Sequence, residues 1–319
     1  MTQRLPFVMA FYRALGTGMV ISADSPIDDK VRSAMESLIE DYEHVLSRFR
    51  NDSLIAAIGK AEHGGSFDFP DWCAPLFDLY DALFSATSGA IDPCVGEDLI
   101  RLGYDASLSF TVTQDAPEHL GALRGRAVWG RDATRHGTTL VTHEPVQLDF
   151  GACGKGYLVD LLGRMLQSSQ FVIDAGGDLL IHAEQPISVA LEDPEDQSHA
   201  IGIAHIANGA LCASAPSRRH WNVAVNERTQ IAIHHLLNAI DGLPAQQTEA
   251  SWAYVPANAT LNLARDYPTA VADGLATALF VSDVAQLQRT FDFTYATLDE
   301  SRQIAVSRNF PAELFLRSA

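Results

Sequence analysis

The feature that most constrains this chain is the coexistence of two hydrophobic periods. After Asp28 the residues Val31, Met35, Leu38, Ile39, Tyr42, Val45 and Leu46 recur at helical spacing, which predicts one long amphipathic helix ending near Ser47 to Phe49. Asp52 and Ser53 suit the cap of a short second helix running through Ile58. Further helices are predicted over 75–88, stopped by Gly89, over 156–166, and over 270–281 behind Pro268-Thr269. Between them lie short apolar runs broken by turn residues. These predict strands at 17–22, within 105–148, at 171–183 split by Gly176-Gly177, and at 187–191, 201–206, 209–213 and 229–233. A few long helices among antiparallel-looking strands argue for an α+β fold rather than a doubly wound parallel sheet.

The chain has 319 residues, 47% of them hydrophobic and 19% charged, enough to bury a large core. That length suits a single domain over 1–319 or one built from two similar halves. Forty Asp+Glu against 22 Lys+Arg leave a net charge of -18, which opposes a phosphate backbone or an anionic bilayer. Nucleic acid and membrane are therefore poor expectations. An anionic small molecule stays open if a divalent cation and backbone N–H groups bring positive charge to it locally. Cys73, Cys94, Cys153 and Cys212 show no metal-ligand spacing and read as small buried hydrophobes in a reducing compartment. The apolar run Phe7 to Tyr12 is too short and interrupted for a signal or membrane segment, and no nearby Cys could carry a lipid, so the cytoplasm is the expected location.

Four segments carry candidate chemistry. Leu148 to Tyr157 runs from strand to helix with three glycines and Lys155, but lacks the residues of a Walker A loop. It reads equally as an anion cradle at a helix N-terminus or as a tight structural turn. Asp273 and Thr277 lie one helical turn apart, so a carboxylate and a hydroxyl could meet one hard cation; the aspartate also suits the ordinary role of a helix N-terminal charge. Asp174 and Asp178 flank paired glycines, as ligands or turn residues. The adjacent His234 and His235 point to opposite faces of a strand, so at most one lines a site.

Read in order, these segments resemble the FAD:protein FMN transferase family, also called ApbE and once described as thiamine biosynthesis lipoproteins. The family's Met-Gly-Thr stands here as Leu15-Gly16-Thr17, and its Leu-Ser-x-aromatic with Asp-Ser as Leu46 to Phe49 with Asp52-Ser53. Its Ser-Gly-Ala-Phe-Asp-Pro-x-Val-Gly is matched by Ser88 to Gly96, and its Leu-Asp-Leu-Gly-Gly-Ile-Ala-Lys-Gly-Tyr-Ala-Val-Asp by Leu148 to Asp160. Asn-Ala-Gly-Gly-Asp is similar to Asp174 to Asp178, and Asp-Ala-Leu-Ala-Thr-Ala-Leu-Phe to Asp273 to Phe280.

The resemblance implies a T-fold-like arrangement of mixed antiparallel sheets with packed helices and, if the domain has two α+β halves, a flavin site between them. It implies Mg2+ held by the Ala152 carbonyl, Asp273 and Thr277, with FAD as substrate. Leu15, Phe49, Ala90, Ile91, Asp92, Asp149, Lys155 and Leu236 fall at or near positions that contact FAD, and Phe49 lies near the aromatic position that stacks on the flavin. His235 and Asp273 are the expected catalytic residues. The reaction implied is transfer of FMN to a Thr or Ser hydroxyl of an acceptor protein with release of AMP. The alternatives are an FAD pyrophosphatase giving FMN and AMP, or a non-catalytic flavin-binding protein. The chain departs from the family where His-His-Ile-Ile-Asp-Pro-x-Thr-Gly stands as His234 to Gly242, with Asn238-Ala239 for Asp-Pro, and where Thr-Ser-Gly stands as Ala213-Ser214-Ala215.

Overall fold

The computed structural model describes residues 5–226 and 229–315. Its main sheet, among the described residues, has nine strands. In chain order they are β1 (Phe7–Ala14), β2 (Thr17–Ala23), β3 (Phe171–Asp174), β4 (Asp178–Glu192), β5 (Ala200–Ser214), β6 (Thr248–Pro256), β7 (Thr294–Asp299), β8 (Ile304–Val306) and β9 (Ala312–Leu314). Strands β1 to β8 lie in that order across the sheet, β9 pairs with β5, and every pairing is antiparallel. The expected α+β class holds.

Four helices matter for the site: α1 (Asp29–Leu46), α2 (Ala74–Ala86), α3 (Gly154–Gly163) and α4 (Pro268–Ala278). The predicted long helix is α1, capped where Asp28 Oδ1 accepts from the N–H of Lys30 at 2.7 Å. It buries Met35, Ile39, Tyr42 and Leu46, a helical stripe that packs with α2, α3 and α4 into the largest core. Helix α2 ends at Gly89, whose φ of 88° lets its N–H turn back to the Phe84 carbonyl at 2.8 Å. The sheet's other face carries a second apolar cluster. Leu180 packs toward the helices while the next residue, Ile181, belongs to the opposite cluster, as strand alternation requires.

Helices α3 and α4 meet through two residues. A Cβ on Gly156 would stand 2.3 Å from the Thr269 carbonyl oxygen, so only glycine allows this approach. Asp160 then accepts from the N–H groups of Thr269 at 3.1 Å and Ala270 at 2.8 Å. No side chain at the N-cap position of α4 does this, so α3 caps its neighbour. Burial pushes the Asp160 carboxyl up to about 7 even though these N–H donors favour its charged form.

Two expectations are revised, and one run without a predicted element gains one. The run from Phe7 is the edge strand β1, whose Met9 and Phe11 are buried while Tyr12 is 90% exposed. Over 105–148 only Ala133–His136 and Thr139–Thr142 are strands, joined by Gly65–Asp68 in a small sheet; the rest holds the short helix Ala116–His119 and turns, with glycines 121, 125 and 130 at positive φ. The strands expected at 187–191 and 201–213 are parts of the long β4 and β5, because a bulge between His182 and Ile187 carries the pairing across the interruption. The four cysteines are buried and free, as expected. No helix among the described residues is long and apolar enough to cross a membrane.

Candidate active site

The glycine-rich segment enters α3 at Gly154, but from an irregular stretch over 145–150 rather than from the strand that the sequence suggested. Before it, Asp149 Oδ1 accepts from the N–H of Gly151 at 2.6 Å, which folds the chain into a tight turn. The carbonyl of Ala152 then accepts from Thr277 Oγ1 at 3.4 Å, one turn after Asp273 on α4. The three residues expected to hold the metal are thus drawn from two helix ends into one place. Asp273 is buried and accepts from the N–H of Gly156 at 3.0 Å. Lys155 Nζ lies 3.3 and 3.4 Å from its two oxygens and also pairs with Asp178.

Asp178 opens β4 with its side chain 1% exposed, and its Oδ1 has no hydrogen-bond partner among the described residues. Burial raises the Asp273 carboxyl above the ordinary range, and Asp178 adds to the shift against the pull of Lys155. For Lys155, burial disfavours the ammonium, but the two carboxylates outweigh it and hold the group charged. A carbonyl, a hydroxyl and a carboxylate, with an orphaned carboxylate oxygen nearby, form an all-oxygen set that fits a hard cation such as Mg2+. Among the described residues no cluster of three or more His, Cys, Asp or Glu could hold a metal, which leaves this mixed set as the candidate.

Beside the turn lies an aromatic and cationic group centred on Tyr104. Arg48 donates to Asp149 through Nε and to the Tyr104 carbonyl through Nη1. Its guanidinium lies 4.2 Å from the Phe49 ring centroid and 4.7 Å from that of Tyr104. Trp221 stacks on Tyr104 at 5.8 Å, and His235 meets it edge-on at 6.5 Å. Phe49 is 42% exposed, so part of its ring stays open to solvent beside this group. Leu15, held at φ 53° with its N–H donating to Glu43 Oε1 at 2.8 Å, joins the group through Arg219, which bonds the Gly16 carbonyl and lies over Tyr104.

The two histidines have different tasks. His234 is occupied at both nitrogens: Nε2 donates to the Ala245 carbonyl at 2.9 Å, and Nδ1 accepts from the N–H of Leu236 at 3.3 Å. His235 Nδ1 lies 3.2 Å from the Arg219 carbonyl, which can only accept, so Nδ1 carries the proton and Nε2 keeps its lone pair. Burial pushes this imidazole down to about 4, and the cations of Arg219 and Lys155 reinforce the shift. His235 therefore stays neutral at physiological pH.

The Ala90 to Asp92 segment, expected at the FAD, is held by a buried network of its own. Asp92 is buried, caps the following turn through the N–H of Cys94 at 2.7 Å, and faces Arg126 at 3.3 Å. Arg126 in turn pairs with Asp98 at 2.8 Å and donates to the Ala239 carbonyl at 2.7 Å. The Ala90 carbonyl accepts from the N–H of Ala239 at 3.0 Å, and Ile91 and Leu236 are buried. These contacts tie the segment after His235 to the Ala90 to Asp92 turn. Sequence reasoning missed Arg48, Tyr104, Arg126 and Arg219. Arg48 stands at the variable position of Leu46-Ser47-Arg48-Phe49, which gave no signal for it.

Comparisons with known proteins bear on what this site does. The pattern of the ApbE family matches residues 15–297. Curated relatives include the FAD:protein FMN transferase of Treponema pallidum, 28% identical over 281 residues, covering 79% of this chain and 72% of that protein. The protein of the same name from Klebsiella pneumoniae is 23% identical over 274 residues, covering 82% and 74%. Among solved structures, the ApbE protein of Thermotoga maritima superposes with a TM-score of 0.77 at 20% identity over 96% of this chain and 99% of that one. The flavin transferase ApbE from Vibrio cholerae gives 0.74 at 17% identity over 95% and 98%.

Proposed function

The chain belongs to the ApbE family, and from that premise we propose that it transfers FMN from FAD to a Thr or Ser hydroxyl of an acceptor protein, releasing AMP, with Mg2+ required. The observation that carries this reading is the meeting of Thr277 Oγ1 with the Ala152 carbonyl one helical turn from the buried Asp273, together with a His235 that holds its proton on Nδ1 and leaves Nε2 as the accepting nitrogen. An acceptor hydroxyl attacks the FMN-side phosphorus, the phosphoanhydride bond to AMP breaks, and His235 Nε2 takes the hydroxyl proton. Asp273, Thr277 and the Ala152 carbonyl would hold Mg2+, which when bound neutralises charge gathering on the pyrophosphate oxygens. Phe49 offers the exposed part of its ring to the flavin, and Arg48 holds the Asp149 turn in place.

The departures from the family pattern are absorbed locally. Asn238 Oδ1 accepts from the N–H of Ile240 at 3.0 Å, and Ala239 supplies to Ala90 an N–H that proline lacks. The segment behind His235 is therefore tied down without Asp-Pro, which supports transfer as the reading to test first. Incubating the purified chain with FAD, Mg2+ and a candidate acceptor should give a fluorescent flavin band on the acceptor together with AMP. Free FMN and AMP formed without any acceptor would assign a pyrophosphatase instead, and intact FAD bound without turnover a flavin-binding protein.

A further inference from the structure

We infer that Lys155 is a built-in counter-cation for Asp273, held there by Asp178, so that a divalent ion binds this pocket in competition with the ammonium. The inference rests on the reading of Asp273 as a metal ligand and adds what the free protein does with that carboxylate.

Three observations carry it. The ammonium lies within 3.4 Å of both Asp273 oxygens, which an incoming cation would need. Asp178 binds the same ammonium from the opposite element, β4, and its second oxygen is buried with no partner among the described residues. The Lys155 side chain is 32% exposed while Asp178 and Asp273 are 1% and 3% exposed. The two carboxylates are therefore fixed in the protein wall, and the lysine is the member with a path to solvent. Removing a carboxylate from water without a partner is costly, so a pocket with two needs a cation in every state. Lys155 supplies it in the free protein. When a divalent ion arrives, its charge replaces that of the ammonium at Asp273, and Asp178 keeps the displaced lysine close, where it can meet an anionic ligand.

The charges of the three side chains sum to one negative unit in the native protein. Lys155→Met makes that two, Asp178→Asn makes it zero, and the double variant returns it to one. Binding of Mn2+ alone, without FAD, read by calorimetry at mildly alkaline pH, tests the idea directly. Lys155→Met should bind Mn2+ at least roughly tenfold more tightly than the native protein, Asp178→Asn more weakly, and Lys155→Arg close to native. If Lys155→Met fails to fold, the double variant against Asp178→Asn asks the same question, and the double variant should again bind roughly tenfold more tightly. Thermal unfolding without metal should show Lys155→Met destabilised, with Mn2+ narrowing the gap. Equal Mn2+ affinity with and without Lys155 overturns the inference. Asp273→Asn separates the two claims: if it binds Mn2+ like the native protein, the metal assignment itself fails, whereas its loss of binding beside an unchanged Lys155→Met leaves that assignment standing and removes only the competition.

Discussion

His234 and His235 stand side by side, yet one free nitrogen separates their roles. His234 uses both nitrogens on backbone groups, so His234→Asn should lower stability by about 1–3 kcal/mol through an unpaired N–H or carbonyl, read by urea unfolding. His235→Asn should melt near the native temperature and lose about 10²–10⁴-fold in AMP release, the usual worth of a positioned base. Because burial holds His235 at about 4, its neutral, proton-accepting form already dominates from pH 5 upward. The rate at saturating FAD and Mg2+ should therefore show no ionisation near the ordinary histidine value; a limb there that disappears in His235→Asn would contradict the assignment. At this scale Asp149, Lys155, Asp273 and Thr277 were legible because their signals are local: glycine spacing ahead of a helix and an i, i+4 pair. Arg48 was not, since it reaches Asp149 from 101 positions away, and no periodicity in a sequence records such a contact.

The helix pair α3 and α4 sets the geometry of the cation pocket, and two of its contacts can be tested. Gly156→Ala drives a Cβ into the Thr269 carbonyl and should cost about 1–3 kcal/mol in chemical unfolding, with Asp273 displaced along with its N–H donor. Asp160 makes the cap of α4 dependent on pH. Its carboxyl titrates near 3.8 when unfolded and near 7 when folded, so the unfolded chain binds fewer protons between those values. Its contribution to stability is full below the lower value and is lost as pH rises through the upper one. Asp160→Asn should flatten that part of the stability profile; an unchanged slope would place the linkage elsewhere. The helices were readable from their stripes to within a few residues. The strands were less so: a bulge joins two runs into β4, and 105–132 holds a short helix and turns despite its apolar residues. In both cases tertiary pairing decided what local pattern left open.

Over the whole molecule the net charge of -18 sets the electrostatic problem that the site has to solve. An FAD pyrophosphate entering this site, as proposed, meets a protein rich in carboxylates, and the cations nearby are few: Lys155 between two aspartates, Arg48 on Asp149, and Arg219 beside Tyr104. In the proposed reading the divalent ion supplies the remainder, which makes the acid excess compatible with an anionic substrate. The antiparallel sheet places these groups together by bringing β4 against β5 and laying α3 and α4 over the same face. The central claim, Mg2+-dependent transfer of FMN at the Asp273 pocket, is tested most directly by measuring AMP and acceptor-bound flavin in one reaction of the native chain and of Asp273→Ala with FAD, Mg2+ and an acceptor bearing a Thr or Ser site. The account predicts AMP and bound flavin in equal amounts from the native chain, and neither from a variant that still folds. Intact FAD with the native chain, or undiminished transfer by Asp273→Ala, would contradict it.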